Sequence, residues 1–589
     1  MSMKFSVYYD EKLPEFWISR EESILIKDYC EKRGATVVDS QGLLNWLKKE
    51  TGVLALAHDL VPEESLQLFK EFMERGGIVV WVGDIPFRRV FNKEAKVIGE
   101  EGGLKVLGFY PVTDWRIDVT TPTPEGSKLG LVPYVSYRSV DPKLVDVVLA
   151  VNSGNNASSW IKKIGNGMFI RLLDKTSPLK GIGFLVYNVF LETLLEEKGV
   201  DFKPIEWVSK VKEKFRDLIR KERALAFEIV FSTAFEVKEG IDETVKAFIE
   251  ERDSESILKR VANWIRGRVS LGEVYWIGQS HIDWAWLWPW EDTVEKCRFT
   301  FSQALKHMEK YPDYKYTQSS AAFYEWMERY YPEIFEEIRK RIKEGRWGLV
   351  GGSWTEHDCN VPSGESMVRQ RLYGQRYYLS RFGRIADVEW MVDTFGFTWT
   401  LPQILVKSRQ KYMFTTKLDW SYVNKLPFRI FLWESPDGSR VIAYQGRFTP
   451  GYYPSSSAYR EFASRTPLVK GVYDYVNLPE VKAKEHVKEM GVIYGAGDGG
   501  GGPTPLEVAA VREITKWFPE NKQVTGEEYM RLLGKYWDRL PVWRDELYLE
   551  NHRGTYTAQW IIKALNREAE CLLVTAEKAA TIAYLNGMN

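Results

Sequence analysis

The first 110 residues cycle between two hydrophobic periods. Short runs rich in β-branched and aromatic residues (KFSVYY, TVVDS, VLALAHD, IVVWVGD) alternate with stretches whose apolar positions recur every three to four residues (ESILIKDYCEKRG, EESLQLFKEFMERGG). Strand and helix in strict alternation predict a doubly wound α/β unit built on a parallel sheet. VDVVLAV (145–151), GMFIRLL (167–173) and a helix over 182–198 complete a first domain, set at residues 1–204. No phosphate-binding glycine fingerprint follows its strands, so the expected role is scaffold or oligomer contact rather than chemistry. Residues 205–270 are charged with helical period, and their interleaved acids and bases predict a solvated helix face.

From residue 271 the pattern changes to short apolar strands that end in polar residues, followed by helices and punctuated by glycines. This predicts a second α/β domain over 271–545, closed by a helical stretch over 546–589.

Composition narrows the function classes. The 81 Lys+Arg balance the 81 Asp+Glu, so no net charge steers the chain toward nucleic acid or an anionic membrane. At 44% hydrophobic and 14% aromatic residues it has the material for packed cores. The N-terminus lacks the pattern of a signal peptide and no run of 18 apolar residues occurs, which gives the expectation of a soluble, cytoplasmic protein. Cysteines 30, 297, 359 and 571 show no paired spacing, so neither a disulfide framework nor a thiolate metal site is signalled.

Three strand ends carry candidate chemistry. EVYWIGQSHIDWAWLWPWEDT places His281 and Asp283 two residues apart where the apolar run stops; in extended chain i and i+2 share a face, so imidazole and carboxylate converge as half of a divalent-metal site. VEWMVDTFGFTWTLPQIL ends a strand in Asp393, and GVIYGAGDGGGGPTPLE ends one in Asp498 among glycines. Strand ends are where α/β folds place their sites. Four consecutive glycines let the chain take conformations closed to other residues and approach a ligand closely. More than half of the 23 tryptophans fall between Trp264 and Trp433, and aromatic faces pack on the C–H faces of sugars. Two carboxylates flanking a bond are the minimum for glycoside cleavage, although a protease or phosphatase could use a similar set.

The motifs HIDWAWLWPWEDT, QSSAAFYEWMERYY continuing to GGSWTEHDCNVPSGES, WMVDTFGFTWTLPQI, KLDWSYVNKLPFRIFLWESPDG, YGAGDGGGGPT and ELYLENHRGTYTAQ follow in order. Together they resemble the N-terminal and catalytic part of glycoside hydrolase family 38, the class II α-mannosidases, in its cytosolic and microbial branch. The resemblance implies a seven-stranded α/β barrel over 271–545, the start of a helical middle domain over 546–589, and one zinc ion, with cobalt the alternative metal. It implies a retaining mechanism on terminal α-linked mannose of oligosaccharides or mannosides. His281 and Asp283 match the zinc ligands, and Asp393 matches the residue that is both ligand and nucleophile. Asp498 sits where this branch carries its acid/base, and Trp286 and Phe395 match aromatic positions of the mannose subsite, with His552 on the substrate side.

The histidine of an H-D pair that the resemblance implies as fourth ligand has no match. His58 lies in the N-terminal domain and His357-Asp358 inside EHDCNVPSGES. The fourth ligand is left open between His552, water and a second polypeptide. The expected partners are accordingly a glycan substrate and either a homo-oligomer or a complementing C-terminal subunit. The competing reading is an incomplete, non-catalytic subunit of the same kind.

Overall fold

The computed structural model describes residues 3–448 and 487–588, except 93, 95, 100, 116, 117, 175–178, 180 and 269–272. The chain divides into two compact units, one spanning Met1–Ser270 and the other beginning at Leu271.

In the first unit, strands β1 (Lys4–Tyr8), β2 (Thr36–Val38), β3 (Gly52–Leu56) and β4 (Ile78–Val82) alternate with helices α1 (Arg20–Lys32), α2 (Ser40–Lys49) and α3 (Ser65–Glu74). Helix α1 starts at a reciprocal cap in which Ser19 and Glu22 satisfy each other's free N–H groups. With β5 (Thr121–Pro122), β6 (Val147–Val151), β7 (Ala157–Ile164) and β8 (Gly167–Leu173), the sheet order is β2-β1-β3-β4-β8-β7-β6-β5. Strands β2, β1, β3, β4 and β8 are parallel, as the alternation predicts. The edge made of β7, β6 and β5 is antiparallel, a departure from the expected parallel sheet. Its cause is connection length: five residues separate β6 from β7 and two separate β7 from β8, enough for a reversal but not for a crossover helix. β3 and β4 are buried on both faces, hence their continuous apolar runs.

Residues 206–266 form four helices packed on one another. Glu206–Leu218 exposes its charged residues, whereas Lys221–Phe235 buries Phe227, Val230 and Phe231.

In the second unit the first sheet runs Trp347–Leu349, Tyr316–Gln318, Glu273–Gln279, Glu489–Tyr494, Arg447–Phe448, with all pairs parallel. The second runs Val388–Trp390, Tyr412–Thr415, Arg440–Gln445, Ile430–Glu434, Val542–Trp543. Its first three strands are parallel, and Ile430–Glu434 is antiparallel to Arg440–Gln445. Among the links that join the sheets, the Gly351 N–H donates to the Val388 carbonyl at 2.9 Å, Tyr444 Oη donates to the Gly491 carbonyl at 2.6 Å, and Arg440–Gln445 leads after one residue into Arg447–Phe448. Trp390 and Phe414 stack at 4.0 Å in the core beneath. Among the described residues, no helix is long and apolar enough to cross a membrane.

A buried acid in the first unit makes its stability pH-dependent. Asp59, just past β3, accepts the Trp17 N–H at 3.2 Å. Burial, and behind it the Asp84 carboxylate, push its pKa up to about 8. Folding therefore favours the neutral acid: its contribution to stability is full below the unfolded carboxyl's value near pH 4 and is lost as pH rises toward 8. Asp59→Asn is expected to flatten this loss, raising the melting temperature by about 5 °C at pH 8 and scarcely at pH 4, as thermal scans across that range would read out.

Candidate active site

Five parallel strands of the second unit end on one chemistry. Glu273–Gln279 leads into His281 and Asp283, Trp347–Leu349 into Glu356, Val388–Trp390 into Asp393, Tyr412–Thr415 into Lys417, and Glu489–Tyr494 into Asp498. A cleft of about 200 Å³ is lined by His281, Asp283, Trp284, Glu356, Asp393 and Phe395 among others.

The glycine run is what brings Asp498 to the other strand ends. Gly495 has φ +127°, and a Cβ there would lie 2.3 Å from the Gln279 carbonyl oxygen; at Gly500, φ +78°, it would lie 2.4 Å from Thr300 Oγ1. Only glycine permits this approach without displacement. Asp498 itself takes φ +57°. The loop is then sewn to the first strand end: Asp283 N–H donates to the Asp498 carbonyl at 2.8 Å, and Ser280 Oγ donates to the Ala496 carbonyl at 2.8 Å.

His281 is buried at the centre. Its Nε2 lies 3.3 Å from Asp283 Oδ1 and 3.6 Å from Asp393 Oδ2, while Nδ1 lies 3.4 Å from Glu356 Oε2. Burial opposes charge on the ring, but the Asp393, Asp283 and Glu356 carboxylates outweigh it and hold its pKa well above the ordinary value. For Asp498, burial leads, the negative Asp393 and Asp283 add to it, His281 and Lys417 oppose it, and its pKa is pushed up to about 7. The Lys417 ammonium, itself buried, pairs with Asp393 Oδ1 and lies 3.5 Å from the centre of the Trp420 ring.

The donor set fits a divalent cation. Ligand atoms of His281, Asp283 and Asp498 lie within 4.8 Å of one another, and Asp393 reaches the same imidazole nitrogen. Imidazole with carboxylate oxygens suits zinc and comparable ions.

The sequence-based candidates do not all meet. His281, Asp283, Asp393 and Asp498 converge, and Phe395 lines the cleft. Trp286 is 52% exposed and packs edge-on against Trp288; the tryptophan lining the cleft is Trp284, packed on Trp326 at 4.4 Å. His552 stands against Phe395 and Trp420, at 5.3 and 5.5 Å between rings, and is not in the ligand cluster found among the described residues. Sequence reasoning passed over Glu356 and Lys417. Both follow an apolar strand (WGL, YMFT), the signal that marked the other three ends.

Behind the cleft the loop carrying Glu356 is fixed by buried bonds. Arg371 donates to His357 Nε2 at 2.9 Å and pairs with Glu389 at 3.1 Å, while Ser353 Oγ donates to Glu389 at 3.0 Å. Asp358 Oδ1 accepts the N–H groups of Asn360 and Val361.

An imidazole ringed by carboxylates at the strand ends of a mixed α/β unit is an arrangement compatible with a bound metal ion. Comparison with known proteins is specific about the family. Residues 272–546, just under half of the chain, match the model of the glycosyl hydrolases family 38 N-terminal domain, so the resemblance read in the motifs holds over this segment. Residues 3–174 match the MJECL34 family. The chain is 37% identical over 306 residues to alpha-mannosidase G of Dictyostelium discoideum, covering 52% of this chain and 27% of that protein. It is 35% identical over 319 residues to alpha-mannosidase 2C1 of Homo sapiens (54% and 29%). It is 34% identical over 315 residues to alpha-mannosidase of Saccharomyces cerevisiae (51% and 28%). The matched segment thus spans under a third of these relatives' length.

Arg371→Met should leave the Glu389 carboxylate buried without its cation and free the His357 loop. The expected loss is about 3–5 kcal/mol in unfolding free energy, read by denaturant titration.

Proposed function

We propose that the chain is a zinc-dependent retaining α-mannosidase that removes terminal α-linked mannose from oligosaccharides or small mannosides in the cytoplasm. The observation carrying this reading is the convergence of His281, Asp283, Asp393 and Asp498 on one cleft, within the segment of the chain that resembles family 38.

His281, Asp283 and Asp393 would hold the ion. Bound zinc would supply a Lewis acid that binds and orients sugar hydroxyls at the cleft. Asp393, steadied by the Lys417 ammonium, attacks the anomeric carbon. Asp498 donates its proton to the departing glycosidic oxygen; once ionised, it takes a proton from the water that releases the sugar from Asp393. The acid role suits Asp498 because burial favours its protonated form, and a protonated carboxyl is a poor metal ligand. Its place in the ligand cluster keeps it as the alternative fourth ligand beside water. Trp286, Phe395 and His552 belong to the aromatic surround of the mannose subsite in this reading, with Trp284 a further ring lining the cleft.

The two joined sheets support a further expectation. Taken with the Gly351–Val388 bond and the run into Arg447–Phe448, seven of their strands read as one barrel over 271–545. The first 204 residues and the helices over 205–270 make a separate scaffold, and 546–589 open a helical domain.

A second reading has one specific observation behind it. Helix Trp560–Leu585 buries none of its residues and leaves Trp560, Ile562, Leu565, Leu572 and Leu573 exposed. An incomplete subunit, whose site works only when a further polypeptide covers this face, would look like this.

Both readings meet one experiment: metal content by elemental analysis of the 589-residue chain, with p-nitrophenol release from its α-mannoside and the anomer formed followed by NMR. One zinc and initial release of α-mannose are expected; neither metal nor turnover decides for the subunit. Asp393→Ala should abolish turnover. Asp498→Ala should slow it about 10²–10⁴-fold on a poor leaving group and far less on a dinitrophenyl mannoside, because the activated aglycone needs little proton donation.

A further inference from the structure

We infer that Glu356 is the positioning residue that sets His281 and Asp393 relative to each other, an inference that rests on the metal-dependent reading above. Its two carboxylate oxygens divide between the two candidates. Oε1 accepts the Asp393 N–H at 2.5 Å and the Thr394 hydroxyl at 3.3 Å, and Oε2 faces His281 Nδ1 at 3.4 Å. The opposite ring nitrogen, Nε2, faces Asp283 and Asp393.

In a histidine that offers one nitrogen to a cation, the bond made by the other nitrogen fixes tautomer and ring direction. Glu356 as acceptor keeps the proton on Nδ1 and turns the Nε2 lone pair toward Asp283 and Asp393. The same side chain grips the backbone at Asp393, so the arm bearing the nucleophile and the imidazole are indexed to one group. Neither lies near Glu356 in sequence: the separations cross from the strand end at Leu349 to those at Gln279 and Trp390.

The position of Glu356 is itself over-determined. The Trp354 N–H donates to the Gln370 carbonyl at 2.9 Å, and the Thr355 N–H to Gln370 Oε1 at 3.0 Å. His357, the next residue, is held by Arg371. Glu356 lines one cleft with three other acids, Asp283, Asp358 and Asp393, where like charge opposes it. A carboxylate fixed against that repulsion, with both oxygens committed, is built for orientation.

Glu356→Gln preserves shape, but its single amide oxygen serves one N–H where the carboxylate serves two, and its NH₂ faces a donor. The measurements use the 589-residue chain: Zn²⁺ and Co²⁺ affinity by chelator competition, the visible spectrum of bound Co²⁺, kcat and KM on p-nitrophenyl α-mannoside, and thermal unfolding. The proposal expects zinc to bind about 10–100-fold more weakly, with a changed Co²⁺ spectrum and a fall in kcat larger than the change in KM. Unfolding should stay close to wild type. Glu356→Asp, which keeps the charge on a shorter arm, should fall between.

Wild-type metal affinity and an unaltered Co²⁺ spectrum in Glu356→Gln would overturn the inference, whatever the activity. If the Gln variant does not fold, wild-type zinc affinity in Glu356→Asp overturns it instead. A wild-type chain that binds zinc tightly but leaves mannosides intact refutes the mannosidase reading alone, and the metal affinities still decide the role of Glu356. A wild-type chain that binds neither metal overturns both.

Discussion

The second unit depends on one electrostatic constraint: Asp283, Glu356, Asp393 and Asp498 are drawn to one imidazole in a partly buried cleft. Carboxylates so placed repel strongly in a medium less polar than water, which is one cause of the raised pKa of Asp498. Among the described residues the named compensating groups are His281, raised toward its charged form by those acids, and Lys417 on Asp393. With Asp498 favoured in its protonated form, two cations against the three remaining acids still leave negative charge over, which a divalent ion would balance. The excess is therefore a property of how the strand ends converge, independent of any resemblance.

Holding repelling groups together needs backbone that cannot relax. Three devices supply it. Parallel strands aim their carboxyl ends at one edge, which sums independent elements into one site. Glycines at 495 and 500 let the Asp498 loop lie against Gln279 and Thr300, where any side chain would collide. The Arg371–Glu389 pair with His357 anchors the loop that brings Glu356. Such a buried ion pair contributes modestly to stability relative to apolar packing, but its geometry is demanding, and that suits a loop that must present one oxygen to an imidazole and another to a backbone N–H.

Much of this was legible in the sequence, and the limits are physical. Alternation over residues 1–110 gave the parallel strands because βαβ units imprint two periods on the chain. It could not give the antiparallel edge: a β-rich run such as Val147–Val151 has the same composition in either direction, and only the short turn before Ala157 decides. His281, Asp283, Asp393 and Asp498 were readable because each ends an apolar run. Glu356 lies seven residues past its strand, and Lys417 reads as an ordinary surface cation, so both were lost to distance and residue type rather than to any missing pattern. Trp284 and Trp286 share an alternation and cannot be told apart by it; packing on Trp326 selects the first for the cleft.

The four acids are chemically alike, so their division of labour must come from their neighbours. Asp393 is paired with the buried Lys417 ammonium. Glu356 is committed through both oxygens, one to the Asp393 N–H and the other facing His281 Nδ1. Asp283 sits beside the imidazole, and its own N–H is tied to the Asp498 carbonyl. Asp498 is largely withdrawn from water and faces the negative Asp393 and Asp283, which push its pKa up, the surroundings that the proposed acid role requires. In the proposed mechanism the four carboxyls would take different roles according to burial and to which charge each one meets, and the same side chain exchanged between these places would change role with its surroundings.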